Sequence, residues 1–153
     1  MVRMNTIVNG VRIDREIDAN ISLLDFLRDE LGLVGTNRSC DVQVCGSCTV
    51  LVDGLPVSSC TFLANEADGA QVETIEGVRD TEFYRRAEAA FVSHAAVQCG
   101  FCTPGFVMTL KAMADDGVGA EEAQLRRSLS GNLCRCTGYR SILDAAAEIV
   151  GDR

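Results

Sequence analysis

The chain has 153 residues, with 14 lysines and arginines against 22 aspartates and glutamates, which give a formal net charge of -8. This acidity argues against nucleic-acid binding, which needs a concentrated basic surface, and no apolar run reaches the roughly 18–20 residues of a membrane span. The 47% hydrophobic and 24% charged composition is typical of a folded protein, and the N-terminus lacks the apolar stretch of a signal peptide, so we expect a cytoplasmic protein.

The first half of the chain carries the signals of β structure. Asn9-Gly10 and Asp53-Gly54 are strong two-residue turn signals with apolar residues on both sides, and each predicts a hairpin. Between them, Ser22 begins a pattern of apolar residues at helical spacing. In chain order, the predicted elements are a hairpin over residues 6–18, a helix over residues 22–31, a hairpin over residues 48–60 and a strand over residues 71–75.

The second half is predicted to be helical. After Gly77 the chain becomes rich in Ala, Glu and Leu at helical spacing, so we place a domain boundary there. Thr103-Pro104 is typical of a helix N-cap and first helical residue, and Ser141 with Asp144 is typical of a capping box. The predicted domains are residues 1–77 and 78–153, and the helices predicted in the second are residues 81–94, 103–115, 120–129 and 141–150.

Eight cysteines divide at the same boundary, four in each half. In a reducing cytosol such a number favours metal ligands over disulfides. The first set is Cys40-x4-Cys45-x2-Cys48 followed by Cys60, and its C-x4-C-x2-C spacing is that of plant-type [2Fe-2S] ferredoxins. The second predicted hairpin returns Cys60 beside Cys48, which explains the gap between them.

The second set consists of Cys99-x2-Cys102 and Cys134-x-Cys136, all at the ends of predicted helices. A helix N-terminus stabilises the negative charge of a thiolate, which suits Cys102. From the spacing alone, an iron–sulfur cluster, a four-cysteine zinc site and disulfide or redox pairs all stay open. The first set favours the iron–sulfur interpretation of the second.

Three motifs carry a resemblance to a known family. They are Cys45-Gly46-Ser47-Cys48-Thr49-Val50, Gln98-Cys99-Gly100-Phe101-Cys102-Thr103-Pro104-Gly105 and Gly131-Asn132-Leu133-Cys134-Arg135-Cys136-Thr137-Gly138-Tyr139. Together they resemble the iron–sulfur subunit of the molybdenum hydroxylases, relatives of xanthine dehydrogenase, aldehyde oxidoreductase and aerobic carbon monoxide dehydrogenase. The resemblance covers nearly the whole chain. It implies an α+β fold, with an N-terminal β-grasp, plant-type [2Fe-2S] ferredoxin-like domain followed by a C-terminal four-helix [2Fe-2S] domain.

The resemblance also implies ligands, cofactors and partners. One cluster would be held by Cys40, Cys45, Cys48 and Cys60, and the other by Cys99, Cys102, Cys134 and Cys136. Positions matching Gln98 and Cys136 touch a molybdopterin, expected in a dinucleotide form, on a large subunit, while a medium subunit carries FAD. The complex would be a dimer of heterotrimers that hydroxylates a carbon centre with oxygen from water. This chain would pass electrons from the molybdopterin through both clusters to FAD, without substrate chemistry of its own.

One part of the first loop departs from the family pattern. Many members carry glycine where this chain has Ser39 and Gln43. We therefore expect either a different course of the backbone there or a Gln43 side chain that faces outward.

Two other functions stay open. The chain could be a free-standing two-cluster ferredoxin, which an acidic surface would suit, or an adaptor protein stapled by zinc. His94, the single histidine, is expected to cap or pack the end of its helix rather than to act in catalysis. The substrate of the complex is undetermined among purines, aldehydes, N-heteroaromatic compounds and carbon monoxide.

Overall fold

The computed structural model describes residues 1–151 and contains one five-stranded sheet and six α-helices. The strands are β1 (Val2–Val8), β2 (Val11–Ile17), β3 (Thr49–Val52), β4 (Leu55–Ser58) and β5 (Gln71–Glu73). The helices are α1 (Leu23–Asp25), α2 (Ile75–Val78), α3 (Glu82–Ser93), α4 (Thr103–Asp115), α5 (Glu122–Ser128) and α6 (Arg140–Gly151). This order confirms the predicted α+β class, since all α-helices except the short α1 follow the last strand. The last two residues of the predicted second domain, 152 and 153, lie outside the described residues.

The sheet has the strand order β2-β1-β5-β3-β4. The first predicted hairpin is confirmed, since β1 and β2 are antiparallel with Val8 opposite Val11. Asn9 and Gly10 both have positive φ angles, 50° and 79°, as a tight hairpin turn between right-twisted strands requires. The sheet is mixed because β1 pairs with β5 in parallel, while the other pairs are antiparallel.

The second hairpin is also confirmed. Val52 of β3 lies opposite Leu55 of β4, and the two turn residues Asp53 and Gly54 have φ angles of 49° and 81°. The predicted strand after it is shorter than expected. It ends before Thr74, because Thr74 has extended backbone at the N-cap of α2 and the chain turns there into a helix.

The helix predicted over residues 22–31 begins as expected and then widens. Ser22 is its N-cap, and the Ser22 hydroxyl accepts a hydrogen bond of 3.0 Å from the backbone N–H of Asp25. From Phe26 onward the backbone hydrogen bonds run to the carbonyl five residues earlier rather than four, as from the Leu31 N–H to the Phe26 carbonyl at 3.1 Å. This part is therefore a π-helix over Phe26–Glu30. Gly32, at φ 71°, ends it.

Two predicted helix caps are wrong, although α4 itself spans the predicted residues 103–115. Cys102, not Thr103, is the N-cap of α4, so Pro104 occupies the second helical position rather than the first. Helix α6 begins at Arg140, so Ser141 lies inside the first turn and the predicted capping box with Asp144 does not form; the Asp144 carboxylate pairs instead with Arg140 at 2.8 Å. Helix α6 starts directly after Tyr139, whose positive φ angle of 66° turns the chain at this point.

The other two predicted helices are present with shifted ends. Helix α3 is capped by Thr81 at its start and by His94 at its end, which confirms the expected position of the histidine. The ring Nε2 of His94 lies 2.7 Å from the Glu148 carboxylate of α6, so His94 also joins α3 to α6. Helix α5 starts at Glu122 and passes into a single 3-10 turn over Leu129–Gly131.

Apolar side chains form one core in each half and a third cluster between them. The first core lies under the sheet, and the second lies among α3, α4, α5 and α6. The cluster between them joins Leu51 of β3, Val78 of α2, and Met108 and Ala112 of α4. Helix α4 is therefore the element on which the two halves meet. The boundary predicted after residue 77 falls inside α2 and remains a prediction.

The helices of the described chain are too short or too polar to act as membrane spans.

Candidate metal centres

The first cysteine set lies on the loop between the π-helix and β3, with its fourth member after β4. Backbone N–H groups of Val44 and Cys45 both donate to the sulfur of Cys40 at 3.4 Å. Donors of this kind, the N–H of Val42 foremost, lower the pKa of Cys40 to about 6, because they stabilise the thiolate. The loop thus favours the thiolate form of Cys40.

The hairpin brings the fourth member of this set to the third, as predicted. The backbone N–H and the hydroxyl of Ser59 donate to the Cys48 carbonyl at 3.3 Å and 2.6 Å, so Cys60 follows directly beside Cys48. Burial raises the pKa of the Cys48 thiol to about 11, and the neighbouring Cys60 sulfur adds to this. A buried thiol of this kind ionises only when a bound cation compensates its charge.

At Gln43 the loop shows how this chain accommodates its departure from the family pattern, whereas Ser39, the other departure, does not have a positive φ angle. Asp41 and Gln43 adopt positive φ angles of 55° and 58°, the left-handed region in which glycine is favoured. The Gln43 side chain turns away from the loop, and its Oε1 accepts a hydrogen bond of 3.2 Å from the Thr61 hydroxyl. The backbone therefore keeps a course that suits glycine, and Gln43 carries a left-handed conformation that costs roughly 1–2 kcal/mol.

The second set lies on the loop that leads into α4 and on the loop that leads into α6. The sulfurs of Cys99 and Cys136 lie 3.4 Å apart, and Cys134 lies near enough to Cys102 to add to the rise in the pKa of Cys102. Within residues 1–151, no three His, Cys, Asp or Glu side chains surround one point where a single ion could sit. The four thiols are gathered in one place, and four cysteine ligands are what a [2Fe-2S] cluster takes.

Within each pair of the second set, one thiol ionises more readily than its partner. The backbone N–H of Phe101 lowers the pKa of Cys99, whereas the contact with Cys99 raises that of Cys136. Burial opposes ionisation of Cys134, but donors from Thr137, including its N–H at 3.3 Å, outweigh it and lower the pKa. Burial raises the pKa of Cys102 to about 12.

A cavity of 690 Å³ opens between the two sets. It is lined by Ser39, Cys45, Ser47, Cys99, Phe101, Cys102, Leu133, Cys134, Arg135, Cys136, Thr137 and Tyr139. On its outer side Cys99 and Cys136 are exposed, and the apolar side chains of Phe101 and Leu133 are each 45% exposed beside them. Gln98 is exposed as well, next to Cys99. One side of the second set, Cys99 and Cys136, therefore faces the surface, while Cys134 is buried. The predicted pterin contact of Gln98 remains a prediction.

The two sets are joined by hydrogen bonds that the sequence did not reveal. The backbone N–H of Leu133, next to Cys134, donates to the carbonyl of Cys45 at 2.8 Å. The Asn132 side chain donates through Nδ2 to the Gly46 carbonyl at 3.1 Å. Asn132 and Leu133 both belong to the sequence motif around Cys134, but the motif does not show that they bind the loop of the first set. Only their position against that loop shows this.

Tyr139 supports the second set through its hydroxyl. The hydroxyl accepts a hydrogen bond of 2.9 Å from the backbone N–H of Cys134. We expect Tyr139→Phe to lower stability by about 1–2 kcal/mol, because a partly buried N–H loses its partner, and to lower the thermal midpoint by roughly 4 °C. The control is Tyr84→Phe, since the Tyr84 hydroxyl has no hydrogen-bond partner within residues 1–151. Equal midpoints for the two variants would contradict this role.

Comparison with known proteins decides the family. Two family models match, a 2Fe-2S iron-sulfur cluster binding domain over residues 3–85 and a [2Fe-2S] binding domain over residues 74–147. The chain is 45% identical over 147 residues to 6-hydroxypseudooxynicotine dehydrogenase complex subunit beta of Paenarthrobacter nicotinovorans, a match that covers 95% of this chain and 92% of the relative. The chain belongs to the iron–sulfur subunits of the molybdenum hydroxylases.

Further relatives of this iron–sulfur subunit agree. It is 43% identical to caffeine dehydrogenase subunit gamma of Pseudomonas sp. (strain CBB1), over 93% of this chain and 87% of the relative. A chain of the crystal structure of quinoline 2-oxidoreductase from Pseudomonas putida 86 superposes with a TM-score of 0.90 at 39% identity, over 97% and 93% of the two chains. The resemblance and the fold class are thus confirmed, with two 2Fe-2S binding domains in a subunit of an oxidoreductase complex.

Proposed function

We propose that this subunit passes electrons from a molybdopterin on a large partner subunit, through two [2Fe-2S] clusters, to FAD on a medium partner subunit. The observation that carries the proposal is the arrangement of the thiols, in two sets joined by the hydrogen bond between Leu133 N–H and the Cys45 carbonyl. In a member of this family, two paired sets in direct backbone contact support a relay better than two independent structural sites.

The proposal assigns all eight cysteines as ligands. Cys40, Cys45, Cys48 and Cys60 would hold one cluster, and Cys99, Cys102, Cys134 and Cys136 the other. When bound, such a cluster accepts and releases one electron at a time, which converts a two-electron oxidation into single steps toward flavin. The chain's own contribution is to pair the thiols, to stabilise their negative charge with N–H donors and to control their exposure to water.

The exposures of the two sets support the direction of the relay. Cys99 and Cys136 are exposed with Gln98 beside them, so a pterin on the large subunit could reach this end. There the Gln98 amide offers both donors and an acceptor to a pterin edge. Cys40, in the first set, begins a loop in which the side chains of Val42 and Val44 are 64% and 57% exposed. We assign this exposed loop as the surface that meets the flavin subunit.

The assembly and its location belong to the same proposal. We propose a dimer of heterotrimers in the cytoplasm, a dinucleotide form of the pterin, and domains at residues 1–77 and 78–153. The related 6-hydroxypseudooxynicotine dehydrogenase subunit is itself named as part of a complex, which supports a multi-subunit assembly here.

The test is the metal and flavin content of the chain purified from its native host with the proteins that accompany it. We expect about four irons per chain, with molybdenum and FAD in stoichiometric amounts, because each cluster holds two irons. Four irons without molybdenum or FAD in any preparation would instead identify a free-standing two-cluster ferredoxin. Two zinc ions without iron, in protein prepared without oxygen, would identify the zinc-stapled adaptor.

A further inference from the structure

A buried polar side chain lies between the two cysteine sets. Asn132 is only 4% exposed and precedes Cys134 by two residues. Its Nδ2 faces the Gly46 carbonyl at 3.1 Å, and its Oδ1 lies 2.9 Å from the hydroxyl of Thr109, which is 7% exposed. The orientation of the amide is determined by its neighbours, because the Gly46 carbonyl can only accept and the Thr109 hydroxyl can donate.

The backbones around this amide are in direct contact. A Cβ atom on Gly46 would overlap the carbonyl oxygen of Gly131, and one on Gly105 would overlap the carbonyl oxygen of Gly46. The loop of the first set therefore lies between the start of α4 and the 3-10 turn before Cys134. At such close range, a small change at the amide changes how the loops sit against each other.

The hydrogen bond next to this amide completes the connection. Leu133, the neighbour of Asn132, donates its N–H to the carbonyl of Cys45, which is the neighbour of Gly46. Two adjacent residues of one loop thus hold two adjacent carbonyls of the other. The Gly46 carbonyl also accepts hydrogen bonds from the N–H and the hydroxyl of Thr49 in its own loop, at 3.2 Å and 2.7 Å. The Asn132 amide is therefore the donor that ties this carbonyl to the second set, and its loss would remove that tie while the Thr49 bonds stay within the first loop.

We propose that Asn132, oriented by Thr109, is a positioning residue that sets the distance and orientation between the two cysteine sets, and thereby the electronic coupling between the two clusters. This inference rests on the proposed function, since it requires both clusters. Thr109 has a defined part in it, because its one hydroxyl proton lies between the Asn132 Oδ1 at 2.9 Å and the Gly105 carbonyl at 3.1 Å, and donation to Oδ1 holds the amide in the orientation required by Gly46.

The test uses three variants of the chain in its purified complex. Asn132→Asp replaces the donor by a carboxylate that repels the Gly46 carbonyl. Thr109→Val removes the hydroxyl at nearly constant shape, and Thr109→Ser is the matched control that keeps it. For each variant we would measure iron per chain and the splitting that spin–spin interaction between the two reduced clusters produces in low-temperature electron paramagnetic resonance spectra.

We expect Asn132→Asp and Thr109→Val to keep about four irons per chain with a narrowed splitting, and Thr109→Ser to match the wild type in both. A residue with only a structural role would reduce the iron content without altering the splitting of the clusters that remain. If Asn132→Asp loses iron, the inference is tested by comparing the spin–spin splitting of Thr109→Val with that of Thr109→Ser.

An unchanged splitting in Thr109→Val with full iron content would overturn the inference and leave the proposed function intact. A wild-type complex without two cluster signals would instead overturn the proposed function, and this inference with it.

Discussion

Replacing Cys136 by alanine is expected to remove the second cluster and to stop reduction of flavin by substrate. Alanine offers no donor atom, so the exposed Cys99 loses the partner whose sulfur lies 3.4 Å away, and the proposed second cluster would keep only three of its four protein ligands. Iron content should fall from about four to about two per chain. Substrate binding should survive, because the substrate pocket belongs to the large subunit of the proposed complex.

The measurements are iron per chain, substrate-driven flavin absorbance changes and substrate affinity, all on the purified complex. Cys40→Ala is the matched variant, since Cys40 belongs to the other set and its loss should leave the second cluster spectroscopically intact. Each variant thus serves as the control for the other. Flavin reduction at the wild-type rate in Cys136→Ala would contradict the proposed direction of electron flow.

Gly46→Ala is expected to disrupt the contact between the two halves of the chain. The new Cβ would overlap the Gly131 carbonyl and lie 2.6 Å from Asn132 Nδ2, so the loops would have to separate. Overpacking costs about 1–3 kcal/mol, and alanine at the φ angle of 67° costs roughly 1–2 kcal/mol more. The thermal midpoint should therefore fall by roughly 10 °C.

Gly54→Ala separates these two contributions. Gly54 also has a positive φ angle, 81°, but its turn is open, and within residues 1–151 no atom beyond Gly54 and its two chain neighbours lies within 4 Å of the place that a Cβ would take. Only the left-handed conformation is therefore penalised, so its midpoint should fall by roughly 4 °C and its iron content should stay unchanged. Thermal unfolding and iron content of both variants provide the comparison. A Gly46→Ala midpoint no lower than that of Gly54→Ala would show that the loops tolerate a side chain between them.

Local patterns were sufficient for most of the fold. The turn signals Asn9-Gly10 and Asp53-Gly54 placed both hairpins correctly, because a two-residue turn with positive φ angles is determined by its own residues. The same holds for the return of Cys60 beside Cys48, which follows from hairpin register alone. Such features depend on neighbours in the chain, and these are visible in the sequence.

Predictions failed where backbone conformation was not visible in a pattern. The capping box expected at Ser141 does not form, because Tyr139 takes a left-handed conformation and lets α6 begin one residue earlier. A tyrosine with positive φ has no sequence signature, since most such positions are glycine, asparagine or aspartate. The widened turn after Asp25 has the same origin, because a π-helix differs from an α-helix only in its hydrogen bonds.

The sequence by itself determined the class of the fold, the two sets of four cysteines and, through the resemblance of their motifs, the family. Only the tertiary structure decided how the two sets face each other. The hydrogen bond from Asn132 to Gly46 joins residues 86 positions apart, and the sulfurs of Cys99 and Cys136 meet across a gap of 37. Contacts over such separations leave no periodicity in the chain, because packing of α4 against β3 and the other helices, rather than local conformation, brings the loops together.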